Sequence, residues 1–491
     1  MSFRSEAEKS LIRENGKYKG FLHSLRSLQN DKIFFMFKLK KIIEYSLYLL
    51  AFILPWQTRL ILRPGSLNGG YFEYGSVGLY GTDILLLIIF CLYILYLVKM
   101  KFSIFDFRFS NALFMIGGLE LTVFVSIFFS EDKSIAVYKY IWLLMGIGLL
   151  FLLQSFDYKK IRLLYSFLLG VFFQAVLGIW HFLNQFAYAF KWLGIAEHDP
   201  STLGVSVVEA IGADGIGERW LRAYGGLDHP NIFGGLLAIG VLVVIFLLIF
   251  LKRNIQYSEK NTQYSIFNIH SIYKYLILIF YFFLLTFCTA LFFTFSRSAW
   301  LACAVGIVVM LIFGIIKKDW FYQRELLKII LFVSVLFFIL FINFENLVLT
   351  RVRAQSRLEQ ISNIERMESY QNGFEIIKNN FFFGAGIGNY TMALEKNNPG
   401  QPAYSYQPVH NVFLLVLAEI GVFGFLFFVS LFLYVFYQAI KIKDGFAVAL
   451  LIALMILMMF DHYFWSLHFG MMFLFFVVWL MVIKPPLLEN K

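Results

Sequence analysis

The chain has 491 residues, 60% of them hydrophobic, with 60 Phe and 27 Tyr, more apolar surface than one water-soluble core buries. That composition excludes an ordinary soluble domain and predicts a polytopic membrane protein. The net charge of +11, from 42 Lys and Arg against 31 Asp and Glu, follows membrane topology along the chain and calls for no nucleic acid partner.

The first 41 residues hold ten Lys or Arg and no long apolar core, which reads as a basic cytoplasmic tail and not as a cleavable signal peptide. Within it, Phe21 to Lys41 is basic and aromatic, as suits an anchor on the inner lipid surface. Apolar runs of roughly 20 residues, the length that crosses about 30 Å of hydrocarbon, then recur near 42–62, 82–99, 111–129, 135–155, 161–183, 231–252, 275–295, 298–316, 327–346, 411–440, 446–463 and 466–484. Residues 42–484 are therefore predicted to form an all-α membrane domain of about twelve transmembrane helices, with a cytoplasmic C-terminus at 485–491. With the tail inside, 28 of the 42 Lys and Arg fall on inner segments, in line with the positive-inside bias. That orientation turns the two long polar loops, 184–230 and 347–409, outward. The three cysteines, Cys91, Cys288 and Cys303, all lie in apolar runs, so they suit packing and supply neither a disulfide framework nor a thiolate metal site.

In the second outer loop Leu358, Ile361, Ile364, Met367, Phe374 and Ile377 recur at helical spacing among charged residues. The pattern predicts an amphipathic surface helix over 357–379, ended by a turn at the glycines of 384–388. Just beyond lies Gln407-Pro408-Val409-His410-Asn411, where the loop meets an apolar span. A neutral imidazole at that edge can take a proton from a hydroxyl near neutral pH; alone, it would read as an interfacial residue capping the span.

Its neighbours change the weighting. Arg222, Arg297, Arg351, Arg353, Arg357 and Arg366 all fall on outer segments, which the charge bias disfavours. Arg297 occupies a very short turn at the lipid boundary, where a guanidinium either snorkels to lipid phosphates or grips a diphosphate as a fork-shaped donor. Arg222 and His229 are candidate ligand contacts in the turn-rich entry to the sixth span, and Asn231 there suits a helix cap. Asp228-His229 resembles half of a metal site without a second half, and Glu197-His198-Asp199 reads as a solvated loop. Glu120 is a mid-span acid, for which a proton path, a buried pair and a cavity all remain open. Glu419 lies about 13 Å deeper than His410 along a helix and is assigned to packing or pairing. Asp461, His462 and His468, at the last outer turn, form the main rival site.

Taken together, Arg222 to Asn231, Phe295 to Trp300, Arg366 to Asn389, and Pro408-Val409-His410-Asn411 followed by Ala418-Glu419-Ile420-Gly421 resemble the O-antigen ligase and polymerase family of bacterial membrane glycosyltransferases. The resemblance covers about 220–440, with one departure: Tyr370 stands where the family pattern has a tryptophan. It implies an enzyme of cell-surface polysaccharide synthesis in the cytoplasmic membrane, with its active face outward. The donor would be a polyprenyl-diphosphate-linked glycan and the acceptor a glycan or lipid-glycan, among membrane lipids and without metal or cofactor. By position, His410 is the expected base and Arg366, Arg297 and Arg222 the diphosphate-holding catalytic cations, with His229, Asn231, Tyr370 and Asn411 as substrate contacts. The alternative is a transporter or flippase of lipid-linked glycans, which needs more charged residues within its spans than Glu120 and Glu419 provide.

Overall fold

A computed structural model of the chain describes residues 34–100, 111–211, 217–260, 267–353 and 357–482. The expectations for most of the basic tail and for the C-terminus at 485–491 lie outside these residues.

Where no water can satisfy backbone polar groups, a spanning chain must be helical, and helices dominate. Among the described residues nine are long and apolar enough to cross a membrane. These are α2 (Gly81–Lys99), α3 (Asn111–Ser126, continued by a short turn to Phe129), α4 (Lys133–Ser155), α5 (Lys160–Asn184), α6 (Pro230–Lys260), α7 (Phe267–Phe293), α8 (Arg297–Ile316), α9 (Trp320–Asn343) and α13 (Val412–Lys441). An earlier helix, α1, runs through 34–53, and two shorter apolar helices, α14 (Gly445–Phe460) and α16 (His468–Val482), flank the four-residue α15 (Tyr463–Ser466). Between α9 and α13 lie α10 (Glu345–Arg353), α11 (Arg357–Asn379) and α12 (Tyr390–Asn397). The helix expected at 357–379 thus forms, with Met367 and Phe374 exposed and Ile376 and Ile377 buried. Carboxylates and amides start several helices: Asp132 accepts from Ser134 N and Ile135 N, and Asp444 from Phe446 N and Ala447 N, each satisfying amides that have no partner within the helix.

The first span ends earlier than its apolar run. Pro55 cannot donate a helical hydrogen bond, α1 stops at 53, and residues 59–63 turn into a strand. At its other end α1 takes in 34–41, so these basic-tail residues are continuous with the first span. The all-α framework carries three small antiparallel pairs. β1 (Arg59–Arg63) pairs with β4 (Val77–Tyr80), and β2 (Ser66–Leu67) with β3 (Gly70–Tyr71); β5 (Val207–Ile211) pairs with β6 (Gly217–Leu221). The first two pairs make a folded cap over 55–80, a region that the sequence assigns to a helix end and a linker. The cap is latched to the last polar loop by Asn68 Nδ2 donating to Gln401 O at 2.9 Å, and by Tyr74 OH donating to Gln407 Oε1 at 2.9 Å.

Helix α6 is apolar on every side, and its most apolar stretch is 94% buried, the signature of a central helix. Its first turn therefore opens at the middle of the end where the polar loops gather. Helix α13 is broken: Gly421 adopts φ 67° and ψ −177°, so the carbonyls of Ala418 and Glu419 are free of the helix. Loop 381–388 wedges against the break, with Ala385 N donating to Ala418 O and Gly386 N to Glu419 O, both at 2.8 Å. The Glu419 side chain secures the wedge, accepting from Gly388 N and Trp465 Nε1 at 2.8 Å each. The glycines read from sequence as a turn are thus a fitted partner of an interrupted helix, in keeping with irregular backbone inside a membrane protein being paired to protein.

Candidate functional site

The site is assembled from chain ends that the fold brings together. Helix α14 stops at Asp461, α6 starts beside Asn231, and Arg222 follows β6. Arg222 is buried, and among the described residues it donates to three neutral acceptors: Nε to Thr294 O at 2.7 Å, Nη1 to Ser206 Oγ at 2.7 Å and Nη2 to Asn231 Oδ1 at 2.9 Å. Asn231 then donates through Nδ2 to Asp461 Oδ2 at 3.1 Å. The expected capping role falls instead to His229, whose Nδ1 accepts from Asn231 N at 3.1 Å. Asn231 is freed to bridge a cation and a carboxylate.

Asp461 Oδ1 accepts from His462 N at 2.8 Å and faces His410 Nδ1 at 3.8 Å. The latter distance is too long for a hydrogen bond, so the contact is electrostatic. Burial alone would push the Asp461 carboxyl up, but the imidazole of His410, then that of His462, holds it below the ordinary carboxylate range. Asp461 is therefore ionised near neutral pH. His462 stands with its ring 5.1 Å from that of His410, and its Nδ1 shares a 2.6 Å hydrogen bond with Ser466 Oγ. Burial pushes His462 down to about 4 despite the attraction of Asp461. Burial and then the positive charge of Arg222 push His229 down to about 3. Both rings are neutral at physiological pH.

Four arginines lie within electrostatic reach of one another. Arg297 Nη1 donates to Arg351 O at 3.1 Å, and Arg351 Nε donates to Phe295 O at 3.2 Å. Burial, followed by the charges of Arg222, Arg297 and Arg366, lowers Arg351 to about 8. Burial likewise lowers Arg222 to about 10, with Arg297 and Arg366 contributing. Like charges gathered this closely are costly, and a bound anion relieves the cost. Of the expected cations, Arg222, Arg297 and Arg366 are thus brought together with Arg351, which the sequence singles out only as one of six.

The rival cluster of the last outer turn divides. Asp461 and His462 join His410, whereas His468 Nε2 lies 2.5 Å from Asp83 Oδ1 and its ring stacks on Tyr80 at 3.9 Å. Asn411, an expected substrate contact, caps α13 by accepting from Phe413 N and Leu414 N. Tyr370 follows Arg366 by one turn on α11 and is half-buried against the core. His198, read as a solvated loop residue, stacks on Tyr224 with ring centres 3.8 Å apart. Tyr74 was not legible as a site residue: its ring packs edge-on to His462 at 6.1 Å, carried there by the folded cap. The only signal in the sequence was the aromatic and acidic run Tyr71-Phe72-Glu73-Tyr74 in what reads as a linker.

His410, Asp461 and His462 offer ligand atoms within 4.8 Å of one another, close enough to hold a metal ion. The charge of Arg222, which reaches both Asp461 and His229, works against a second cation there. The recess as a whole favours an anion next to an imidazole backed by a carboxylate.

Residues 280–429 match the family described as O-antigen ligase, under a third of the chain. The matched stretch runs from α7 past the break in α13 and holds Arg297, Arg351, Arg366 and His410, while Arg222, Asn231 and Asp461 lie outside it. No curated protein matches the chain. Over residues 280–429, then, this multi-pass bundle of helices is similar to the O-antigen ligase family.

Proposed function

We propose that the chain is a glycosyltransferase that moves a glycan from a polyprenyl diphosphate to a sugar hydroxyl on the outer face of the bacterial cytoplasmic membrane. The observation that carries the reading is the link of the His410–Asp461 pair, through Asp461, to Arg222, whose charge acts together with those of Arg297, Arg351 and Arg366. His410 is the base. With Nδ1 facing Asp461, its Nε2 takes the acceptor's proton, and the carboxylate stabilises the imidazolium that forms. The acceptor oxygen bonds to the anomeric carbon as the carbon–oxygen bond to the diphosphate breaks, and the leaving group departs with the electron pair. Its growing negative charge is met by preorganised guanidinium groups, which act where a divalent cation would otherwise be needed. One direct displacement inverts the anomeric centre and needs no carboxylate nucleophile.

Topology supports the outward orientation. At the end of the bundle opposite the site stand Lys252, Arg253, Lys317, Lys318, Arg324 and Lys328, with Lys252 and Lys328 both on Glu325 and Arg253 on Asp319, and such basic clusters mark the cytoplasmic side. The decisive experiment supplies purified protein in lipid bilayers with a polyprenyl-diphosphate-linked glycan and an acceptor oligosaccharide. New glycosidic bonds, detected by mass spectrometry and lost in His410→Ala, are the expected result. Movement of intact donor between leaflets with no bond formed would favour transport instead.

A further inference from the structure

The recess has a second half of opposite character. Asp228 and His229 are chain neighbours, yet they act in different surroundings: His229 on Arg222, Asp461, His410 and His462, Asp228 on Arg59 and Glu73. Asp228 is exposed although protein encloses it closely enough for burial to push its carboxyl up. It is therefore open to solvent and not sealed in the core. Arg59 is neutralised by Glu73, with Nη2 donating to Oε2 at 3.0 Å, so the cation that acts on Asp228 is already paired. Tyr74 joins the halves, with its ring on His462 and its hydroxyl donating to Gln407, three residues before His410. It also lies within the fields of Asp461, Glu73 and Asp228.

A wall of carboxylates, a phenol and an amide repels phosphate but suits a sugar. Carboxylates accept hydrogen bonds from hydroxyls, an amide both donates and accepts, and an aromatic face covers the ring's C–H groups. We infer that Asp228, Tyr74, Glu73 and Gln407 form the acceptor subsite, which takes the hydroxyl-bearing, non-anionic sugar presented to His410. This rests on the transferase reading above and adds to it the chemical class of the acceptor. The first polar cap, from 55 to 80, then selects the acceptor, while the arginines hold the donor. An acceptor ending in a uronic acid would meet like charge at Asp228 and be disfavoured.

The test uses the full chain in bilayers, a polyprenyl-diphosphate-linked disaccharide as donor, and fluorescent oligosaccharides ending in a hexose or in the matching hexuronic acid as acceptors. The wild type is expected to prefer the hexose. Asp228→Asn and Tyr74→Ala should raise the acceptor KM by about tenfold or more, as for a lost hydrogen bond to a charged group or a lost ring contact, with the donor KM within about twofold. Asp228→Asn should also narrow the preference for hexose over hexuronic acid, which a merely structural defect would not do. An unchanged acceptor KM in both variants, or a change confined to the donor KM, overturns the inference while wild-type transfer leaves the transferase reading standing. A wild-type chain that transfers to neither acceptor overturns both.

Discussion

His410 Nδ1 faces Asp461 Oδ1 at 3.8 Å, while the other oxygen of the same carboxylate takes a hydrogen bond from Asn231. One carboxylate is thereby shared between the proposed base and, through Asn231, the buried Arg222 of the cation cluster. Removing the imidazole should be the most damaging change. His410→Ala is expected to lower kcat by about 10²–10⁴-fold, the range for loss of general-base catalysis. Asp461→Asn keeps the shape but loses the charge that supports the imidazolium, so kcat should fall steeply with little effect on the donor KM. Transfer rates with correctly inserted protein check both, and a wild-type rate for His410→Ala would remove it as base.

Charge and fork can be separated at the arginines. Arg297→Lys and Arg366→Lys preserve the positive charge but lose the planar pair of donors that fits a diphosphate. Each is expected to reduce kcat/KM for the donor by about tenfold or more, as a charge-assisted bidentate contact is lost. Kinetics with varied donor at saturating acceptor would measure this, and unchanged values in both variants would remove the diphosphate clamp.

Asn231→Leu should behave differently from either class. It leaves all the charged residues in place but deprives Arg222 Nη2 and Asp461 Oδ2 of their common partner. A buried charge left short of a hydrogen bond costs about 1–3 kcal/mol or more, so both donor affinity and turnover should fall together. A loss confined to one of them would show that the bridge does not couple base and clamp.

The helices were legible because lipid leaves no alternative to an internally bonded backbone, and long apolar runs advertise it. The arginines around His410 stood out in the sequence because a cation on a segment expected to lie outside contradicts the charge bias and so demands a reason. What stayed hidden was made by packing across long sequence separations. Nothing near Asp461 states that Asn231, 230 residues earlier, will hold it, and nothing in 55–80 states that its strands will set Tyr74 against His462. Asn231 was misassigned because its spacing suits a helix cap, a local role that the neighbouring His229 ring fulfils. The Asp461–His462–His468 cluster was read as one unit from adjacency, although the turn aims His468 at Asp83.

The broken helix makes a prediction about stability. At Gly421 a Cβ would stand 2.2 Å from Phe382 O, and at Gly384 a Cβ would stand 2.2 Å from the backbone of Glu419, both at positive φ. Gly400 also has positive φ, but nothing lies within 4 Å of its would-be Cβ. Alanine at 400 should therefore cost only the backbone strain, on the order of 1–3 kcal/mol. Alanine at 384 or 421 adds a backbone clash that cannot relax without separating loop 381–388 from α13. Apparent unfolding temperatures should fall in that order, least for Gly400→Ala. Equal values for the three would mean that the wedge is not fitted to the break.

Acid should loosen the site before it reaches ordinary carboxylates. His462 and His229 are held down to about 4 and about 3, chiefly by burial, which Asp461 partly offsets at His462 and Arg222 reinforces at His229. In the unfolded chain both would titrate near the usual value of about 6.5. As pH drops below about 6.5 the unfolded state binds protons that the folded state refuses, so stability declines continuously toward about 4 and below. Asp461 acts in the same direction but later, since its depressed value costs stability only once free carboxyls protonate near about 3.9. The apparent unfolding temperature should therefore fall between pH 7 and pH 5. His462→Gln, which removes one of these early titrations, should fall less steeply across the same interval. A wild-type profile that is flat from pH 7 to pH 5, or a His462→Gln slope equal to it, would show that these rings are not held neutral by the fold.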